Sequence, residues 1–267
     1  MENNKTLSLL IILALIAGVA LGYYYPKNTE KKVIESIQPV AISDNPSITI
    51  ATINQKDNSF DINAQYPQFT LADSSFNAKI SNIINEKISE FKKNSEDNLK
   101  AVKETATAEN PAPTDWQFYF KADWTPVQIN KDYISFVVNM YYFSGGAHGN
   151  NEVYAFNYDL KNKKEITFND FIGGSQETLK AISSLATKDV ISQRASFGEP
   201  EKTVKKELEE GGTSPDAKNF NEFTFSNDTL TIYYQKYQVG PGALGMLKSS
   251  FDKSSLEKQS ITSKYFK

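Results

Sequence analysis

Residues Tyr133 to Asp159 read YISFVVNMYYF-SGGAHG-NNEVYAFNYD, and the fold is read outward from them. Two runs dense in aromatic and β-branched side chains flank a small-residue elbow, Ser144-Gly145-Gly146-Ala147-His148-Gly149. Such side chains pack well against cross-strand neighbours, so both flanks are predicted strands. Three glycines within five positions point to backbone dihedrals that a Cβ would obstruct, or to a close approach by another group. The single histidine of the chain, His148, sits inside the elbow. Between Tyr133 and Phe143 almost every residue is apolar, with Asn139 the exception, which predicts a strand buried on both faces.

Upstream, Ser47 to Ile53 and the alternating Phe60, Ile62, Ala64 and Tyr66 predict a hairpin, with Lys56 to Ser59 as its turn. From Asp73 to Asn98 the apolar residues Phe76, Ile80, Ile83, Ile84, Ile88 and Phe91 recur at three and four. That spacing predicts an amphipathic helix, with Asp73 or Ser74 as its cap. Lys100 to Asp115 is poor in bulky apolar residues and carries two prolines, so it is read as a linker and domain boundary. Trp116 to Trp124 alternates as a strand. After the elbow, a short strand is predicted at Glu165 to Phe168, with helices at Ser175–Arg194 and Glu201–Glu210. A last hairpin turns at Asn227-Asp228, and a second small-residue bend follows at Val239 to Gly245. No β-α-β rhythm repeats, so the fold class is α+β, with antiparallel sheets and packed helices.

The N-terminus carries a different signal. Leu7 to Tyr25 is free of charge, and as a helix it would extend roughly 28 Å against a hydrocarbon core of about 30 Å. Tyr23, Tyr24 and Tyr25 suit the headgroup level, and Pro26 ends the helix. Residues 1–26 are expected to be a single-pass membrane anchor, with a cleaved signal segment as the alternative; 27–46 reads as a stalk. The lysines after the span favour a cytoplasmic body by charge counting. The six-residue leader favours export, and the body is placed outside the cytoplasm.

Composition excludes several chemistries. A net charge of -3 gives no concentrated basic surface for nucleic acid. The absence of cysteine removes disulfides, thiolate metal sites and a cysteine nucleophile. His148 alone cannot hold a metal without carboxylates such as Glu152, Asp159 or Asp170, and no spacing selects them. No metal or cofactor is therefore assigned. The elbow also lacks the Gly-x-Ser-x-Gly of a nucleophile elbow and the Lys-Ser/Thr of a phosphate loop. Tyr141, Tyr142, Tyr154 and Tyr158 are read as sheet core with hydroxyls at the rim, against the alternative of a glycan-stacking platform.

Taken together, Tyr142-Phe143-Ser144-Gly145-Gly146-Ala147-His148-Gly149, Asn157-Tyr158-Asp159 and Phe168-Asn169-Asp170-Phe171 resemble the C-terminal domain of the RsiV-type extracytoplasmic proteins. Tyr237-Gln-Val-Gly-Pro-Gly-Ala-Leu-Gly245 resembles that family's closing motif. Tyr66-Pro67 and the helix over Asn77–Phe91 resemble the small domain that precedes the catalytic domain in PdaC-type polysaccharide deacetylases. The resemblance implies a small α+β domain at 47–105 and a second α+β domain at 106–260. It also implies an envelope role, since an anti-sigma member of the family binds lysozyme through its outer part. Only six residues precede the apolar span here, so no sigma-binding domain, no anti-sigma activity and no deacetylase domain are expected.

The expected function is a membrane-anchored module that binds or senses a cell-envelope protein (a lysozyme-like one included) or a peptidoglycan fragment. Its ligand-binding residues would be Tyr142, Ser144, Gly145, Gly146, Ala147, His148 and Gly149, supported by 239–245. No catalytic set is assigned. A hydrolase would use His148 with Asp159 or Asp170, and a purely structural role is the third reading.

Overall fold

A computed structural model describes residues 46–109, 111–112 and 116–266. The expected membrane segment at 7–25 and the stalk up to residue 45 lie outside the described residues. Among the described residues no helix is long and apolar enough to cross a membrane.

The predicted hairpin forms as β1 (Ile48–Lys56) and β2 (Phe60–Phe69), paired antiparallel without a break. Asp57 makes the turn, its Oδ1 accepting from the backbone N–H groups of Ser59 and Phe60. β3 (Phe118–Ile129), β4 (Tyr133–Phe143), β5 (Asn150–Asp159) and the two-residue β6 (Lys164–Glu165) complete a six-stranded sheet in sequence order. All neighbours are antiparallel except β2 and β3, which run parallel from Phe60↔Phe118 to Ala64↔Ala122. Parallel strands need a long crossover, and helix α1 (Ser74–Thr105) provides it. Asp73 is its N-cap residue but makes no side-chain cap bond; its carbonyl accepts from Phe76 and Asn77 instead.

The helix buries Phe76, Ile80, Ile84, Ile88 and Phe91 against the sheet, as the spacing predicts. It then continues seven residues beyond Asn98, through the first part of the expected linker. The sheet thus runs across position 106, where a domain boundary was expected. Two hydrophobic clusters part further on: one spans Ile62 to Leu160, and the other begins at Ile166.

The second cluster surrounds a three-stranded sheet of β7 (Phe223–Phe225), β8 (Thr229–Tyr233) and β9 (Lys248–Asp252). On it pack α2 (Phe168–Phe171), α3 (Gln176–Ala195), α4 (Glu201–Glu210) and the short α5 (Lys253–Glu257). Of the expected strand at 165–168 only Glu165 is paired, as the end of β6, and Phe168 already opens α2, where Thr167 and Asp170 form a reciprocal capping box that satisfies the first-turn donors. β9 was not foreseen; its five residues lack an aromatic alternation.

The two units meet through the Tyr133 ring, which packs on Phe225 and Tyr265, and through polar side chains. Ser135 donates to Asn157 Oδ1 at 2.7 Å and accepts from the Phe225 N–H at 3.0 Å. Asn157 Nδ2 donates to the Phe223 carbonyl at 2.6 Å. This contact covers the outer face of β4 only as far as Val137–Val138, so burial on both faces holds for that half alone. Beyond it Asn139 and Tyr141 face solvent.

Candidate functional site

The elbow is the turn of the β4–β5 hairpin, which pairs in register from Tyr133↔Asp159 to Tyr142↔Asn150. Gly145 has φ +101° and Gly146 φ +92°, the left-handed region that favours glycine. Gly149 is needed for a different reason. A Cβ there would stand 2.4 Å from the Tyr141 hydroxyl, whose ring lies across the strand end. Asn98, the last residue of the predicted helix, seats the loop from α1. Asn98 Nδ2 donates to the Ser144 carbonyl at 2.8 Å, and a Cβ on Gly145 would come within 3.3 Å of Asn98 Cβ. Gly146, Ala147 and His148 face solvent. His148 Nδ1 lies 2.9 Å from the Gly149 carbonyl oxygen; donation there leaves Nε2 as the free acceptor.

Glu152 organises the helix side of the hairpin. It accepts from Tyr142 at 2.5 Å and Tyr154 at 2.6 Å, and pairs with Lys87 of α1 at 3.2 Å. Asn150 Nδ2 donates to the Tyr142 hydroxyl at 2.7 Å. Burial opposes the charge on Glu152, but the two phenols and Lys87 hold its carboxyl below the usual range. Burial, reinforced by the bond to Glu152, pushes the Tyr142 phenol up to about 12. Tyr142 is thus a half-buried support of the elbow.

The outer face carries a ladder. Tyr119 stacks on Phe143 at 5.5 Å and lies 5.6 Å from Tyr141, with the two hydroxyls 3.3 Å apart. Tyr119 and Tyr141 are each 39% exposed. Stacked on one another, the rings turn edges and hydroxyls outward, the cross-strand arrangement that stabilises sheets. Tyr158 is buried and accepts from the Asp73 N–H, so of the four tyrosines read as core or platform only Tyr141 is exposed.

The elbow's glycines predict a paired effect. Gly149→Ala should lose about 1–3 kcal/mol by overpacking against Tyr141. The same substitution in a Tyr141→Ala background should lose clearly less, which a double-mutant cycle in urea would measure.

The carboxylates expected to join His148 do not. Asp159 ends β5, nine residues from Asn150, which at strand rise is roughly 30 Å away. Its carboxylate is buried and closes a turn by accepting from the Asn162 backbone and side chain at 2.9 and 2.7 Å. Asp170 caps α2 and pairs with Lys164 at 2.9 Å. Burial opposes its charge too, but Lys164 and Thr167 hold its carboxyl below the usual range. Among the described residues no three His, Asp or Glu side chains gather as a metal site.

The second bend has its own local reasons. Arg194, only 2% exposed, donates from Nη1 to the Val239 carbonyl at 3.0 Å, from Nε to Glu199 at 3.1 Å, and from Nη2 to Glu199 and to Glu207 at 2.9 Å. Gly242 lies under the ring of Tyr237, whose carbons a Cβ would meet at 2.5 Å. Tyr237 is 65% exposed and has φ +70°. Just before it, Gln235 accepts from the Val153 N–H at 3.3 Å and donates to the Val153 carbonyl, tying the approach to this bend to β5 four residues past the elbow. Sequence reading missed Asn98, Tyr119, Arg194 and Gln235. Each is an isolated residue whose partner lies in another element, and only the elbow's own glycines gave a local signal.

Comparison with known families agrees with this division into two units. Residues 53–151 match the model described as Deacetylase PdaC, and 169–252 match the model described as Protein of unknown function (DUF3298). The chain therefore joins a domain of the PdaC type to a DUF3298 domain. The elbow falls at the end of the first match, so the Gly-Gly-Ala-His element belongs with the six-stranded sheet and not with the C-terminal domain to which it was assigned. A curated relative is the peptidoglycan-N-acetylmuramic acid deacetylase PdaC of Bacillus subtilis (strain 168), 24% identical over 255 residues. The match covers 92% of this chain and 49% of that protein, so the chain spans about half its length. A DUF3298-family crystal structure from Bacteroides fragilis shares the fold at TM-score 0.52 and 17% identity, covering 80% of this chain and 94% of that one. Another, from Pseudomonas aeruginosa PAO1, aligns at TM-score 0.50 and 13% identity, covering 83% and 96%.

Proposed function

We propose that this chain is an extracytoplasmic module of the cell envelope, anchored through residues 7–25, that binds or senses an envelope protein or glycan at the elbow 144–149. The observation that carries this reading is the contrast within the elbow. Its seat is held by Asn98, by the Tyr142–Glu152–Lys87 network and by Gly149 beneath Tyr141, while Gly146, Ala147 and His148 project into solvent. An exposed loop on a rigid scaffold is where binding residues concentrate. The exposed tyrosine edges beside it are of the kind that anchors interfaces. A relative named for acting on peptidoglycan supports an envelope glycan as one ligand class, and the family resemblance supports a lysozyme-like protein as another. Among the described residues the hydrogen-bond partner of His148 is a backbone carbonyl in its own loop and not a carboxylate, and this favours binding over hydrolysis.

The test is binding of the purified full chain to immobilised lysozyme and to soluble peptidoglycan fragments, with His148→Ala and Ala147→Trp alongside. Both side chains are exposed, so stability should stay within about 0.5 kcal/mol. Affinity for the true ligand should fall about tenfold or more, equivalent to 1.4 kcal/mol. Unchanged affinity in both variants would remove the elbow from the site.

A further inference from the structure

The two edges of the six-stranded sheet are treated differently. Pairing with β4 directs the backbone of Val153, Ala155 and Asn157 away from the sheet, and each of these residues has a partner. Gln235 takes both groups of Val153, Glu222 accepts from the Ala155 N–H at 2.5 Å, and the Asn157 carbonyl accepts from the Ile166 N–H at 2.9 Å. The side chains of the second unit thus stand in for a neighbouring strand.

The β1 edge is open instead. Thr70 donates to the Ser47 carbonyl at 3.1 Å, and Asp57 to the Phe60 carbonyl at 2.9 Å. Both contacts fit the register Ile48↔Phe69 to Lys56↔Asp61, so the odd-numbered residues direct their backbone groups at β2. The N–H and C=O groups of Ile48, Ile50, Thr52, Asn54 and Lys56 therefore point outward. Among the described residues no strand pairs with them. The usual protections of an edge are also missing. β1 is nine residues long, has no bulge and no proline, and carries no charge before Lys56, which is occupied by Asp61 at 2.9 Å.

We infer that the outer edge of β1 pairs antiparallel with β1 of a second copy of this chain, about a twofold axis at Thr52. The edge is neutral from Ile48 to Gln55, so two copies meet without repulsion, and an isologous contact closes after two. Thr52 then faces Thr52 of the other copy, a favourable cross-strand pair, and Ile50 faces Asn54. The product is one twelve-stranded sheet that carries two elbows.

The chain has no cysteine, which makes single thiols clean probes. Facing residues of an antiparallel pair lie within disulfide reach, whereas residues offset by four do not. In the purified full chain, Thr52→Cys should oxidise to a cross-linked dimer and Asn54→Cys alone should not. A mixture of Ile50→Cys and Asn54→Cys chains should cross-link only between the two kinds. Light scattering should give the mass of two 29.9 kDa chains. Thr52→Pro should give the mass of one with an unchanged circular dichroism spectrum, because the N–H it removes is not used by β2. A single-chain mass for the wild type, no cross-link from Thr52→Cys, or equal cross-linking by Thr52→Cys and Asn54→Cys would each overturn the inference.

Discussion

Replacing Arg194 by alanine is expected to lower the unfolding free energy by about 3–5 kcal/mol, the usual cost of breaking a buried charge network. That is a large part of the roughly 5–15 kcal/mol by which a domain is stable. The guanidinium is enclosed by the end of α3, by Glu199 in the following loop, by Glu207 of α4 and by the carbonyl of Val239. Truncation leaves a cavity and strands the buried Val239 carbonyl without a donor. Glu199 and Glu207 keep access to water and lose less. Arg194→Lys should fall between the two, because an ammonium supplies the charge but not the planar fork that reaches three elements at once. Urea unfolding of the three proteins measures the series. A loss below about 1 kcal/mol for the alanine variant would mean that the bend at 239–245 is held by something other than this clamp.

A pH effect of comparable size should arise at Glu222. Its carboxyl sits in the seam between the two units, and burial pushes it up to about 7. The Ala155 N–H and the charge of Lys79 act in the opposite direction without offsetting burial. A folded-state value above the unfolded one means that the folded protein holds this proton more tightly. The corresponding stability is fully present below about pH 4.5 and is lost as pH rises through about 7. The full loss is about 3 kcal/mol. Glu222→Gln, which keeps an acceptor for the Ala155 N–H, should therefore be more stable than wild type at pH 8. The difference between the two should shrink toward pH 5 and vanish near pH 4. Other carboxylates titrate in both proteins and cancel in the difference. A difference that stays constant with pH would show that Glu222 ionises as it does in water, and that the seam is wetter than its geometry implies.

Much of the architecture could be read from local pattern. Period-two alternation located β2 and β3, the three-and-four spacing located α1, and α3 and α4 lie where helices were expected. Periodicity records which side chains face a core, so it survives without knowledge of what the core is. The same signal misled where burial came from a different unit. The apolar run of β4 promised two covered faces, yet the second unit stops near Val138, and the outer ends of β3 and β4 carry an exposed aromatic ladder. Low apolar content past Asn98 suggested a linker, whereas helix persists to Thr105 and its Asn98 seats the elbow.

The sequence by itself determined that this is an α+β chain with a glycine-rich elbow around its only histidine. It also determined that the elbow joins two aromatic strands, since propensity, spacing and dihedral demands act over a few residues. Only the tertiary structure decided that β2 and β3 run parallel and that the units part after Leu160. It also decided that Asp159 and Asp170 lie far from His148, and that Arg194, Gln235 and Glu222 hold the two units and the second bend. Each of those outcomes depends on residues tens of positions apart meeting in space. A single arginine, glutamine or glutamate carries no periodic mark of the partner it will find.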